Sequence, residues 1–136
     1  IVLPVDGNVA AKLQGEYIQD TLRNVPVTQV QNDEAILDIG VQTFDLYEDI
    51  LSNAATIFWA GPLGYIEWKQ TAKHSIKIAQ LMAGYSVDTY MGGGETASVL
   101  RMAGIQGNEI DFVSTGGGAS LKLLSGERLP GVQVLS

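Results

Sequence analysis

The chain has 136 residues, 46% of them apolar and 17% charged, which describes a globular chain with enough apolar material for one buried core rather than a disordered one. It has no cysteine and one histidine, which excludes disulfides, thiolate chemistry and a His-rich metal site. The net charge of −7 argues against nonspecific nucleic-acid binding, which needs a basic face, and no apolar run is long enough to span a bilayer.

In chain order, "IVLPV" (1–5) is apolar and β-branched and reads as a buried strand that Asp6 and Gly7 end. Residues 9–20 carry a weak pattern that leaves helix and loop open. "VPVTQV" (25–30) alternates around a proline and predicts an edge strand or extended loop. "AILDIG" (35–40) predicts a short strand stopped by Gly40. Phe44, Leu46, Tyr47, Ile50 and Leu51 fall near helical spacing and predict a helix over 42–54. "TIFWAG" (56–61) predicts a buried strand. From Glu67 to Ala83, Ala72, Ile76, Ala79 and Met82 recur at steps of three or four and predict a helix.

Next come "YSVDTYMGGG", a strand running into a glycine triplet, and "ETASVLRMAG", a helix with Gly104 at its C-cap. "IDFVSTGGG" repeats the strand and triplet, and "ASLKLLSG" is a short helix ended by Gly126. The tail "ERLPGVQVLS" reads as loop. Strand–helix alternation predicts an α/β fold with a mostly parallel sheet and helices on its faces, in a single domain over 1–136. The N-terminus has no basic segment and no initiator Met. That predicts a chain without a signal peptide, processed or truncated at its start, and cytoplasmic.

Three predicted strands end in glycine-bearing loops: "WAGPLG" (59–64), "MGGGET" (91–96) and "STGGGAS" (114–120). In a parallel sheet these loops share the carboxyl edge, where open α/β sheets bind ligands. Consecutive glycines let main-chain N–H groups face an anion, and a following helix adds its unpaired N–H groups and dipole. Two such loops side by side suit a polyphosphate, with Thr96 adding a hydroxyl and Glu95 a carboxylate for the accompanying cation. Neither triplet is a Walker A loop, since no Gly-Lys-Ser/Thr follows. Spacing alone therefore leaves phosphate binding and tight strand–helix turns equally open. Glu67 likewise reads as a helix-start acid or as a ligand contact. His74, in "TAKHSIKIAQ", reads as a solvated surface residue between lysines. With no G-x-S-x-G elbow, a Ser–His–Asp hydrolase is a remote reading. Trp59 and Trp68 read as core residues, and Asp6 and Asp38 as capping or turn residues.

Taken together, "IVLPVD", "LDIG-x-x-T", "TIFW-x-GP-x-G-x-x-E", "GGG-x-TA", "STGGGASL-x-LL-x-G" and "LPGV" occur in this order. The set resembles the latter part of the C-terminal, nucleotide-binding domain of phosphoglycerate kinase, over essentially the whole chain. The resemblance implies a three-layer α/β/α, Rossmann-like fold, here incomplete. It also implies phosphoryl transfer between 1,3-bisphosphoglycerate and ADP in glycolysis. In that family Mg-ADP or Mg-ATP binds this domain, and phosphoglycerate binds an N-terminal domain that this chain lacks. Also lacking are a further glycine loop and a phosphate-contacting lysine. Carried over by position, Glu67 matches the acid on the ribose, Leu37 a side chain against the adenine, and Gly64 a further nucleotide contact. Gly93, Gly94, Glu95 and Thr96 match the phosphate and metal loop, with Glu95 as metal ligand. Gly116, Gly117 and Gly118 match the catalytic loop facing the transferring phosphoryl group.

The chain departs from the family at Ile36 (usually Gly), Val41 (Pro), Ala60 (Asn), Glu95 (Asp) and Lys122 (Glu). The resemblance implies a phosphotransferase whose isolated 136-residue portion does not catalyse. The alternative is a non-catalytic nucleotide-binding or protein-interaction module. A homo-oligomer or a complementary chain is the expected partner, with neither nucleic acid nor membrane.

Overall fold

The computed structural model describes residues 1–135, which divide into two compact units. The first holds residues 1–53 and 63–78, and the second holds 54–62 and the chain from Ala79 onward.

The first unit is built on β1 (Asp6–Leu13), which pairs antiparallel with β2 (Glu16–Tyr17), β3 (Arg23–Pro26) and β4 (Glu34–Ile39). Residues 9–20, read as helix or loop, are therefore a strand and a hairpin. β1 lies between β3 and β4, and successive residues such as Val9 and Ala10, on opposite faces, are both buried, so no alternation marks the strand. Gln14 and Gly15 both take positive φ, the geometry of a two-residue hairpin turn. The run "IVLPV" is not a buried strand. Residues 1–4 are irregular and exposed, Pro4 has no N–H to give a ladder, and pairing starts at Asp6. Of "VPVTQV" (25–30), read as an edge strand or extended loop, only Val25 and Pro26 belong to β3, which is an edge strand, and a 3-10 turn follows at Val27–Gln29.

Asp6 fixes where the next helix starts. Its carboxylate accepts the N–H of Gln42 at 3.2 Å, the N–H of Thr43 at 2.8 Å and the Thr43 hydroxyl at 2.6 Å. It thereby caps α1 (Val41–Ser52), satisfying donors that the helix cannot. A Cβ on Gly40 would lie 2.1 Å from that carboxylate, which is why "LDIG" ends in glycine. Burial pushes the Asp6 carboxyl up. The Thr43 hydroxyl, the two N–H groups and Asn24 together outweigh it, so the group sits below its ordinary value. α2 (Lys73–Gly84) starts six residues later than the predicted Glu67, because residues 66–72 form turns.

In the second unit β5 (Thr56–Ala60), β6 (Asp88–Gly92) and β7 (Phe112–Ser114) form the expected parallel sheet, in the order β5-β6-β7. Ala60, Gly92 and Ser114 stand in register, so three strands end at one carboxyl edge. β5 alternates: Ile57 and Trp59 are buried, whereas Phe58 is exposed and joins Tyr90 and Phe112 in a cross-strand aromatic row. α3 (Gly94–Ala103) buries Thr96, Val99 and Leu100 and ends on a left-handed Gly104, as predicted. α4 (Gly117–Leu124) follows β7, and Gly126 is left-handed just beyond it. The tail, read as loop, contains a helical turn, α5 (Pro130–Gln133), with proline in its first turn. Ser136, the last residue of that tail, lies outside the described residues.

The class is thus α/β with a parallel sheet. Where alternation suggested one mostly parallel sheet, the first unit's strands form a separate antiparallel sheet.

The cap gives a pH prediction. The folded value of Asp6 is depressed, so its stabilisation is full above the unfolded value of about 3.9 and disappears as pH falls through the lower folded value. Urea unfolding should lose stability between pH 5 and pH 2.5. Asp6→Asn should flatten that loss and cost about 1–3 kcal/mol at neutral pH.

Candidate functional site

In the second unit the two glycine triplets open α3 and α4. They touch: the Gly93 N–H donates to the Ser114 carbonyl at 2.8 Å, and a Cβ on Gly117 would meet the Gly93 Cα at 3.0 Å and its nitrogen at 3.1 Å. Gly93 also takes φ +111°, which a side chain would strain. A Cβ on Gly92 would press on the Phe58 ring at 3.3 Å. Gly117 is therefore required by the packing of one loop against the other and Gly93 by its backbone conformation, whereas a side chain at 92 would need the Phe58 ring to give way.

Gly94 and Gly118 are not. A Cβ on either meets nothing within 4 Å, neither takes a positive φ, and one on Gly116 makes only ordinary contacts. Both helices start without a side-chain cap, on Gly93 and Gly116. Their first-turn N–H groups lack helical acceptors, and both dipoles point their positive ends at this edge. α1, by contrast, has its first N–H groups taken up by Asp6.

Thr96 is buried and engaged. Its hydroxyl donates to the Gly92 carbonyl at 3.1 Å and accepts the Gly61 N–H at 2.9 Å, tying the Gly61-Pro62 turn to α3. Glu95 is exposed in the first turn of α3. Among the described residues no three His, Asp or Glu side chains cluster as a self-sufficient metal site. A single exposed carboxylate fits a magnesium ion that arrives on phosphates and keeps most of its waters. Ala60 stands exposed at the end of β5, and Lys122 is exposed on α4.

In the first unit, Leu37 is buried in β4, and its carbonyl accepts the Tyr65 N–H at 2.7 Å. A Cβ on Gly64 would lie 2.3 Å from the Thr71 carbonyl oxygen and 2.7 Å from Asp38 Oδ1, so the turn needs glycine there. Glu67 is exposed on that turn, outside α2, and is not a helix-start acid. Trp68, on the same turn, is half-buried edge-on to Tyr17 and Tyr65, whereas Trp59 is core in the second unit.

His74 corrects the reading most sharply. It is 2% exposed, not solvated, and its Nδ1 lies 2.7 Å from Asp38 Oδ2. A carboxylate only accepts, so Nδ1 carries the proton in that bond. Among the described residues Nε2 is buried without a hydrogen-bond partner. The missed signal was spacing: His74, Ile78 and Met82 recur at i, i+4 and i+8, and all three are buried.

The fold is α/β, with glycine loops opening uncapped helices at the carboxyl edge of a parallel sheet. The phosphoglycerate kinase family model matches residues 1–127. The phosphoglycerate kinase of Campylobacter hominis is 40% identical over 136 residues, covering 100% of this chain and 33% of the relative. That of Campylobacter fetus subsp. fetus is 41% identical over 135 residues, covering 99% and 33%. The solved phosphoglycerate kinase of Coxiella burnetii matches with TM-score 0.82 and 31% identity, over 99% of this chain and 34% of that one. For the Pyrococcus horikoshii OT3 enzyme the values are 0.74 and 31%, over 97% and 31%. The chain belongs to the phosphoglycerate kinase family and spans about a third of the length of the curated relatives it matches.

The glycine geometry predicts opposite outcomes at adjacent positions. Gly117→Ala drives a methyl into the Gly93 backbone and should cost about 1–3 kcal/mol. Gly118→Ala enters open space within a helix and should be neutral or stabilise by up to about 1 kcal/mol. Thermal unfolding of the two variants checks this.

Proposed function

We propose that this chain is the nucleotide-binding part of a cytoplasmic phosphoglycerate kinase, a single partial domain that takes Mg-ADP or Mg-ATP. The observation that carries this reading is the pair of uncapped helix starts, α3 and α4, whose Gly94 and Gly118 have no packing reason to be glycine. A phosphate needs that access to backbone N–H groups. In this reading the N–H groups of Gly94 and Glu95 hold one part of the polyphosphate. Those of Gly117 and Gly118 face the transferring phosphoryl group, donating where charge develops. The bound magnesium would neutralise phosphate charge, with the Glu95 carboxylate as its protein ligand. Thr96 serves through its position, holding the Gly61 turn against α3. On the resemblance, the nucleoside contacts are Leu37, Gly64 and Glu67, of which Glu67 has an exposed acceptor for ribose hydroxyls.

Phosphoglycerate is proposed to bind a portion of the family's length outside this chain. Phosphoryl transfer needs both substrates held in line at short range, so the chain alone is expected to be inactive.

A second reading, a protein-interaction module, is favoured by one feature of the second unit. Phe58, Tyr90 and Phe112, with Leu123 and Leu124 of α4, line an apolar groove of about 580 Å³. Such a surface suits a complementary chain or a second copy.

Calorimetric titration of Mg-ADP tests the first reading. Magnesium-dependent binding is expected. Gly118→Ala keeps the N–H but sets a methyl in the open space through which a phosphate would approach, and should weaken binding about tenfold, and Glu95→Gln should remove the magnesium dependence. A folded chain that binds no nucleotide, with a sedimentation profile that shifts with concentration, would favour the second reading. Phosphoglycerate kinase turnover by the chain alone would contradict the assignment of catalysis to a missing portion.

A further inference from the structure

The turn that carries Glu67 is held by side chains to which the functional reading gives no task. It is fastened at three points within the first unit. The Tyr65 N–H donates to the Leu37 carbonyl at 2.7 Å, the Leu63 N–H donates to the Ser75 hydroxyl at 2.9 Å, and the Thr71 hydroxyl donates to the Tyr65 carbonyl. Gly64 then lies so close to Asp38 Oδ1 that no side chain fits between them. Asp38 is thus the floor of the turn.

That floor needs support. Asp38 is 1% exposed, and a carboxylate buried so completely must be supplied with donors. The Ile39 N–H serves Oδ1 at 2.9 Å, and His74 Nδ1 serves Oδ2 at 2.7 Å. His74 and Ser75 are neighbours in the first turn of α2, so one helix start holds both the floor and the rim. An apolar residue at 74 would fill the space beside Phe44, whose ring centroid is 5.3 Å away, without leaving a buried Nε2 unpaired. Among the described residues the imidazole makes one polar bond, and that bond is to the floor of the turn.

We propose that Asp38 and His74 are positioning residues: their buried bond sets the Gly64–Thr71 turn and so the placement of Glu67. This rests on Glu67 being the ligand contact proposed above. Without the His74 donor, Asp38 Oδ2 is left buried and unpaired. The carboxylate must then shift or recruit water, and Gly64, packed against it, must move too.

The test reads the turn without a ligand. Amide hydrogen exchange is measured on the full chain for wild type, His74→Phe and His74→Asn. The asparagine keeps a donor near the place of Nδ1. In His74→Phe the Leu63 and Tyr65 amides should exchange at least about tenfold faster, with Val99 and Leu100 unchanged, and His74→Asn should restore protection. Unchanged exchange in His74→Phe, acceleration spread evenly over the chain, or failure of asparagine to rescue would each overturn the proposal.

If His74→Phe does not fold, the nitrogen spectrum of the chain's one histidine decides. Protonated Nδ1 in wild type, giving way to protonated Nε2 in Asp38→Asn, supports the bond, and no change of tautomer overturns it. Mg-ADP affinity separates this inference from the functional reading. His74→Phe should weaken binding as much as Glu67→Ala, and the double variant no further. If Glu67→Ala binds like wild type, the ligand role of Glu67 fails, while the exchange result still decides whether the pair positions the turn.

Discussion

The backbone of Gly117 lies against that of Gly93, and no side chain fits between them. The Gly93 N–H bond to the Ser114 carbonyl locks the same approach from the other side. With β6 and β7 in parallel register, this contact brings two helix starts to one edge of the sheet. The backbone geometry also explains why the α3 start has no side-chain cap. A capping serine or aspartate at position 93 would need φ +111°, which glycine tolerates and L side chains rarely adopt. The geometry that forces glycine is thus the geometry that leaves the helix N–H groups open to a ligand.

Both uses of a helix start occur in this chain. α1 is closed by Asp6, whose carboxylate occupies the N–H groups of Gln42 and Thr43 and whose bulk dictates Gly40. That start is structural. At α3 the one buried hydroxyl, on Thr96, is turned away into bonds with Gly92 and Gly61, and the free carboxylate of Glu95 projects from the first turn. The proposed nucleotide would bring a polyphosphate to such an edge, and the contrast with α1 supplies the physical reason.

How much was legible in the sequence depended on how each residue is buried. β5 and β6 showed as short apolar runs stopped by glycine, and α3 showed both its period and its glycine cap. β1 did not, because Val9 and Ala10 are both buried and its small residues produce no alternation. The start of α2 was placed too early, because the turns over 66–72 bury Thr71 and Ala72 at spacings that pass for helix. His74 was misplaced because flanking lysines outweighed its spacing from Ile78 and Met82. The glycine loops were legible as loops, but sequence could not divide their glycines. Only the three-dimensional packing separates Gly117, which lies against Gly93, from Gly118, which does not.

In the reading proposed above, the α3 and α4 starts form a phosphate site. The most direct measurement is an amide-resolved NMR titration of the chain with Mg-ADP. Saturable shifts are expected at Gly94, Glu95, Gly117 and Gly118, with the Gln42 and Thr43 amides, already bonded to Asp6, unmoved. Shifts absent from those four amides, or confined to the groove lined by Phe58, Tyr90 and Phe112, would contradict it.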